Sequence, residues 1–336
     1  MLKRVLVTGG AGYVGSALVP KLLAAGHSVV VYDIMYYGSA GLPRHPALEV
    51  VSGDICDTPS LAGALRGADA VIHLACISND PSFELDPVLG KSINLDSFEP
   101  MVKASKDAGV KRFINVSSSS VYGVSDADNV TEDHPLKPLT DYSKFKMMCE
   151  EILDKHRGDG FHGLSIRPAT VCGYAPRMRL DLSVNILTNL AVNKRRITVF
   201  GGSQKRPNIH MDDITDLYMR LLELPADMID GRIFNAGYHN HTIKALADMA
   251  KKIVESKMPE KKPIEIVTTS TDDLRSYHVC SQRIKDQLGF EARRTIQDAM
   301  ADLCRAFAAG KIPDSLDDDR YYNVRTMKAL AAGKGR

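Results

Sequence analysis

Val5-Leu6-Val7-Thr8-Gly9-Gly10-Ala11-Gly12-Tyr13-Val14-Gly15 is a short apolar run that turns through three evenly spaced glycines into a helical pattern. Gly9, Gly12 and Gly15 give the spacing G-x-x-G-x-x-G. Glycines so placed allow a tight turn, close approach of backbone to a pyrophosphate and close helix packing. The helix start adds free N–H groups and a dipole that favours phosphate. The next β-branched run ends in Val31-Tyr32-Asp33. An acid at that point accepts hydrogen bonds from an adenosine ribose and repels a 2′-phosphate, so NAD is the expected cofactor. Gly9, Gly12, Tyr13, Val14, Gly15, Asp33 and Ile34 are its expected contacts. Asp54 and Ile55, after the third run, are placed to read the adenine edge.

Working outward, strand-like runs at Arg4–Thr8, Ser28–Tyr32, Glu49–Val51, Ala70–Leu74, Arg112–Val116 and Leu164–Arg167 alternate with helical patterns. These helices begin near Tyr13, Ser60, Lys91 and Asp141. Such alternation predicts an α/β protein: a doubly wound parallel sheet of the Rossmann type, covered by helices on both faces. Asp57-Thr58-Pro59 reads as a cap followed by a helix-starting proline. Pro20 and Pro100 fall inside helical patterns, where a kink or early break is expected. After Arg167-Pro168 the pattern loosens through a polar stretch, 173–179. Helix-like segments at Leu182–Asn193 and Asp212–Leu224 and strand-like ones at Ile197–Phe200 and Arg232–Asn235 follow. The expected division is a Rossmann unit over 1–172, with 205–237 returning to it. A smaller, partly interleaved α/β substrate domain takes 173–204 and 238–330.

Composition bounds the function. The 336 residues are 44% hydrophobic and 25% charged, ordinary values for a globular chain, and 43 basic against 41 acidic residues leave a net charge of +2. The basic residues are scattered in pairs, which argues against nucleic acid as a partner. The six cysteines are far apart, with neither metal-knuckle nor redox spacing, so reduced thiols and no metal centre are expected. No run approaches the ~20 apolar residues that span a bilayer, and Lys3-Arg4 leads directly into a strand. A cytoplasmic protein without membrane contact is the expectation.

A second cluster carries redox chemistry. Ser117-Ser118-Ser119-Ser120-Val121-Tyr122-Gly123 follows a predicted strand, and Tyr142-Ser143-Lys144-Phe145-Lys146 starts a later helix. Residues four apart share a helical face, so the Lys146 ammonium falls near the Tyr142 phenol. With the charge of an oxidised nicotinamide, it is expected to favour the phenolate and make Tyr142 a general base.

These motifs recur in order along nearly the whole chain: the glycine loop, Gly53-Asp54-Ile55, His73-Leu74-Ala75, Asn94, the serine cluster, Tyr142/Lys146, Arg167-Pro168 and Arg206 to Asp213. The chain resembles an extended short-chain dehydrogenase/reductase of the NAD-dependent sugar-nucleotide epimerase and dehydratase family. The resemblance implies Ser118 as the catalytic hydroxyl, Tyr142 as acid/base, and Lys146 as the residue that binds the nicotinamide ribose and tunes Tyr142. It places Leu74, Ala75, Asn94 and Pro168 on the cofactor side. Ser78, Ser119, Asn185, Arg206, Arg275 and Tyr277 fall on the substrate side, with Asn185 and the two arginines at a nucleotide diphosphate. A nucleotide-diphosphate sugar and a homodimer are the implied partners, the dimer built from the helices starting near Lys91 and Asp141.

Departures from the family pattern bear on the reaction. Dehydratases of this kind carry an acidic pair after the catalytic hydroxyl, where this chain has Ser119 and Ser120. Dehydration is therefore disfavoured, and C4 epimerisation through a transient 4-keto sugar is the expected activity. Decarboxylation, keto-reduction and a non-catalytic NAD-sensing role are the alternatives. Thr170 stands where galactose-type epimerases often place asparagine, and Cys76 to Asp80 replaces their usual loop, so the sugar stays open.

Overall fold

Val5, Leu6 and Val7 are fully buried, as a strand covered by helices on both faces must be. The computed structural model describes residues 2–333 apart from 126, 128, 272–275 and 277. Its strands are β1 (Arg4–Thr8), β2 (Ser28–Asp33), β3 (Leu48–Ser52), β4 (Ala70–His73), β5 (Arg112–Val116), β6 (His162–Pro168), β7 (Thr170–Cys172), β8 (Arg196–Phe200), β9 (Lys205–His210), β10 (Ile233–Ala236), β11 (His239–Thr242) and β12 (Glu265–Thr269). Seven of them form a parallel sheet in the order β10-β6-β5-β4-β1-β2-β3. The strand order reverses between β1 and β4, and a doubly wound sheet opens its ligand crevice at the carboxyl ends beside such a switch.

The longer helices are α1 (Tyr13–Ala24), α2 (Phe98–Asp107), α3 (Asp141–His156), α4 (Ser183–Lys194), α5 (Met211–Glu223), α6 (Ile243–Lys257), α7 (Ile296–Ala308) and α8 (Asn323–Ala331). One face of the sheet packs Val5, Val7 and Val31 against Leu18 and Leu22 of α1 and Leu217 and Leu221 of α5. The other packs Leu6, Val30 and Val71 against Phe98 and Met101 of α2 and Leu153 of α3. A third core, with Leu187, Ala250 and Met300, joins α4, α6 and α7 into the smaller unit.

The expected strands and helices appear within a few residues of their anticipated ends, and Asp57 caps its helix by accepting from Ser60 N at 3.2 Å. The break expected at Pro20 is absent, and the one expected at Pro100 falls just before it. Helix α1 runs through Pro20 to Ala24 without a break, because buried Leu18, Val19 and Leu22 clamp it to the sheet across the missing hydrogen bond. Pro100 is the third residue of α2, after a π-helical segment Ser92–Asp96; first-turn N–H groups lack helical partners anyway, so the ring costs little there. Strands β7 and β9 pair with each other and with β11 in a separate three-stranded sheet. Residues 205–210 thus pair outside the main sheet, while α5 packs on its face and β10 joins its edge.

A buried ion pair registers three of these elements. Glu150 of α3 accepts from Arg167 Nε at 2.9 Å and Nη2 at 2.6 Å, and its Oε1 also accepts from Ser117 Oγ at 2.5 Å. Arg167 Nη1 donates to Tyr122 Oη, which donates to Asn235 Oδ1 of β10. The two charged side chains are 4% and 3% exposed. Removing one charge strands the other away from water. Glu150→Gln is expected to lower unfolding free energy by about 3 kcal/mol in chemical denaturation. A loss below about 1 kcal/mol, the scale of an exposed pair, contradicts this account.

Candidate active site

The crevice above the β1/β4 switch encloses about 470 Å³, within the usual range for small-molecule sites. Its floor is the glycine loop. Gly9 has φ +69°, and a Cβ there would meet Ala75 N at 2.6 Å, so glycine lets the loop lie flat against the end of β4. A Cβ on Gly15 would meet the Gly10 backbone at 2.5 Å, which keeps α1 tight on the loop. The N-cap of α1 is Gly12, and no side chain caps that end. An uncapped helix N-terminus facing a glycine-lined cleft fits the diphosphate of NAD.

Gly9, Gly12, Tyr13, Val14 and Gly15 line the cleft, as do Asp33 and Ile34, Asp54 and Ile55, Leu74 and Ala75, and Pro168. Asp33 holds the loop as well as facing the cavity: Oδ2 accepts from Ala11 N at 3.0 Å and Oδ1 from Met35 N at 2.8 Å. Burial raises its pKa, against the pull of those amides and of Arg177. Each oxygen keeps a lone pair for a ribose hydroxyl.

At the sheet's carboxyl edge, Ser118 ends the β5 turn while Tyr142 and Lys146 project from the first turns of α3, and all three line the cleft. Helix α3 starts where it does because Thr140 Oγ1 caps Ser143 N at 3.3 Å. Ser118 Oγ is within hydrogen-bonding reach of the phenol. Lys146 Nζ lies 6.0 Å from the Tyr142 ring centroid and donates to Val116 O at 2.8 Å. Beneath it, burial and the Lys146 charge push His73 down to about 3, so His73 is neutral and its ring meets Thr8 Oγ1 at 2.8 Å.

The expected lowering of the Tyr142 pKa is not a property of the chain by itself. Burial raises the phenol, Cys76 and Asp80 add to the rise, and Arg179 and the Ser118 hydrogen bond oppose it. A base at Tyr142 therefore needs further positive charge in the cleft. A chain of hydroxyls leads away from Ser118: Ser120 Oγ at 2.8 Å, Ser143 Oγ at 2.8 Å from that, Thr140 Oγ1 at 3.1 Å, and then Asp80 Oδ1 at 2.6 Å.

On the substrate side, Ser78, Ser119 and Arg206 line the cleft. Ser78 Oγ accepts from Arg179 Nη1 and from Asn323 Nδ2, both at 3.0 Å. Arg275 and Tyr277 lie outside the described residues. Two expected contacts are placed elsewhere. Asn185 is fully buried off the cleft, accepting from Gly173 N and donating to Tyr13 Oη and Arg179 O, so its amide is spent on joining the loop helix to the 173–179 segment. Asn94, in the π-helical segment, clasps both backbone groups of Ile77 at 2.8 and 3.0 Å and shapes the cleft loop from behind.

Sequence reading missed Arg177, Arg179, Asp181, Asn323 and Met327, all of which line the cleft. Pro176-Arg177-Met178-Arg179 looked like a solvated polar stretch, and Asn323 lies far along the chain; only the fold brings them together. The potential metal donors His210, Asp212 and Asp302 cluster outside the cleft. His210 Nδ1 accepts from Asp212 N and Nε2 faces Asp302 at 3.2 Å, which leaves the imidazole no lone pair for a cation.

Residues 5–237 match the model of the NAD dependent epimerase/dehydratase family. The chain is 30% identical over 277 residues to UDP-glucose 4-epimerase of Lactobacillus helveticus, covering 76% of this chain and 83% of that one. It is 29% identical over 314 residues to dTDP-glucose 4,6-dehydratase of Streptomyces griseus, covering 90% and 93%. Among solved structures, MoeE5 in complex with UDP-glucuronic acid and NAD superposes with a TM-score of 0.79 at 26% identity, over 91% of this chain and 99% of that one. Fold, cleft and motif order converge with these likenesses: the chain belongs to the NAD-dependent epimerase/dehydratase family of enzymes.

Proposed function

We propose that the protein epimerises a nucleotide-diphosphate sugar at C4. The observation that carries this reading is the meeting of Ser118, Tyr142 and Lys146 in one cleft, with serines at 119 and 120 in place of a carboxylate pair. The likeness to a UDP-glucose 4-epimerase supports it. NAD supplies the hydride acceptor and, on return, the hydride donor. Tyr142 Oη takes the proton from the C4 hydroxyl while Ser118 Oγ holds that oxygen. Lys146, anchored on Val116 O, binds the nicotinamide ribose and places its ammonium beside the phenol. The flat 4-keto sugar turns over, held through its nucleotide diphosphate with Arg206 on the cleft wall, and Tyr142 returns the proton on the other face. The same reading has the enzyme working in the cytoplasm as a homodimer; exposed Val88 and Met148, on the helices ending at Lys91 and His156, support the pairing surface.

One observation favours a second reading. Asp80 lines the cleft, raises the Tyr142 pKa and accepts from Thr140, so a carboxylate is at hand to assist elimination of water after oxidation. The likeness to a dTDP-glucose 4,6-dehydratase keeps this reading alive.

Product mass separates the two. Purified protein incubated with a panel of nucleotide sugars, without added cofactor, is expected to interconvert two epimers of unchanged mass by NMR and mass spectrometry. Loss of one water from the product establishes dehydration instead, and a stoichiometric demand for NADH excludes epimerisation. Tyr142→Phe is expected to cut turnover at least about a hundredfold while bound NAD, read by absorbance after denaturation, is retained.

The pH profile tests the electrostatics. Tyr142 must be deprotonated to act as base, so the rate rises with pH through its pKa. Removing a neighbouring cation raises that pKa. Lys146→Met is therefore expected to shift the rising limb of kcat to higher pH, and an unmoved limb counts against Lys146 as the tuning charge.

A further inference from the structure

Arg177 is a buried cation that, among the described residues, has no carboxylate in direct contact; Asp33 and Asp181 act on it only from a distance. It is 8% exposed, lines the cleft, and among the described residues forms no ion pair within 4 Å. Its Nε is buried without a hydrogen-bond partner. Burial draws its pKa down only to about 10, so the charge persists at neutral pH. An unpaired buried charge is costly, and a chain that keeps one in a ligand cleft has a use for it.

The surroundings define that use. Arg177 N donates to Ser16 Oγ of α1 at 3.0 Å, which plants the residue beside the helix whose uncapped N-terminus opens the cleft. The guanidinium carbon lies 3.6 Å over the Tyr37 ring, and Nη2 donates to Asn323 Oδ1 at 2.8 Å and Arg320 O at 3.4 Å. Neighbouring acids are committed elsewhere: Asp33 to the amides of Ala11 and Met35, Asp181 to Arg179 Nε at 2.6 Å and Asn323 N at 3.0 Å. Asn323 thus gathers Arg177, Ser78 and Asp181, and carries α8 across the cleft with Met327 on its wall.

We propose that Arg177, clamped by Asn323 of the C-terminal helix, is the counter-cation for the diphosphate of the bound dinucleotide. Diphosphate is the matching chemistry, because a planar guanidinium and an uncapped helix start both recognise phosphate oxygens. A nucleotide sugar also carries one, but the contacts of Arg177 with Ser16 and its place beside the glycine loop favour the dinucleotide. The inference rests on the cleft binding NAD and is independent of which carbon reacts. Through α8 it also ties retention of the cofactor to the end of the chain, as a reaction with no net oxidation requires.

Calorimetric titration of the NAD-stripped full chain tests this. Arg177→Met is expected to weaken NAD at least about tenfold, the scale of a hydrogen bond to a charged group, with a smaller loss for uridine or thymidine diphosphate. Arg177→Lys is expected to recover part of the affinity, and Asn323→Ala to lose an intermediate amount. The stripped Arg177→Met protein is expected to melt no lower than the stripped parent, because an unanswered charge has been removed, while its melting shift with NAD shrinks. Unchanged NAD affinity overturns the proposal. So does a greater loss for the nucleoside diphosphate than for NAD, or a melting temperature of the stripped variant that falls in step with affinity, the mark of a packing role. Should Arg177→Met not fold, NAD affinity in Asn323→Ala equal to that of the parent overturns it equally.

Discussion

The Glu150–Arg167 ion pair is the constraint on which the site's geometry depends. Glu150 sits one turn beyond Lys146 on α3, Arg167 directly precedes Pro168 on β6, and Ser117, bonded to the same carboxylate, directly precedes Ser118. Three segments that bring Ser118, the Tyr142–Lys146 pair and Pro168 to the cleft are thereby held in register by one buried charge cluster. Such a pair adds little net stability over a well-packed apolar substitute. Its value is directional, because hydrogen bonds fix angles and offsets that side-chain packing leaves looser.

Above that base the cleft is electrostatically divided. The glycine-loop end offers helix N–H groups and an unanswered arginine, and so awaits negative charge. The opposite end, around Ser118, is dominated by hydroxyls, with Arg179 paired to Asp181 and Asp80 at the far end of a serine–threonine chain. Burial, with Cys76 and Asp80 adding to it, raises the Tyr142 pKa, so deprotonating the phenol calls for further positive charge in the cleft. In the proposed reaction an oxidised nicotinamide would supply that charge, which would link binding of the dinucleotide to activation of the phenol.

Local signals made most of the fold legible. Short continuous β-branched runs gave the main-sheet strands to within a few residues, and the glycine loop, Asp33, Ser118, Tyr142 and Lys146 all line one cleft. The failures share a cause. Pro20 was judged by its missing hydrogen bond, whereas packing of α1 on the sheet outweighs it. Strands β7 and β9 carry no strand signal in the sequence reading, and pairing across 38 residues, Thr170 with Asn208, puts them in a second sheet. Asn94 and Asn185 were assigned by motif position, and the structure spends both amides on the protein's own backbone and on Tyr13.

The sequence by itself determined the dinucleotide fold, the NAD cofactor, and the meeting of Asp33, Ser118, Tyr142 and Lys146 around one cleft. Each of these follows from residues close together in the chain, where spacing maps directly onto geometry. Only the tertiary structure decided that Arg177 is buried with no ion pair among the described residues, that Asn323 from α8 clamps it, and that the Tyr142 phenol is raised rather than lowered by the chain around it. Burial and uncompensated charge are sums over neighbours drawn from distant segments, and no local pattern of residue types carries that sum.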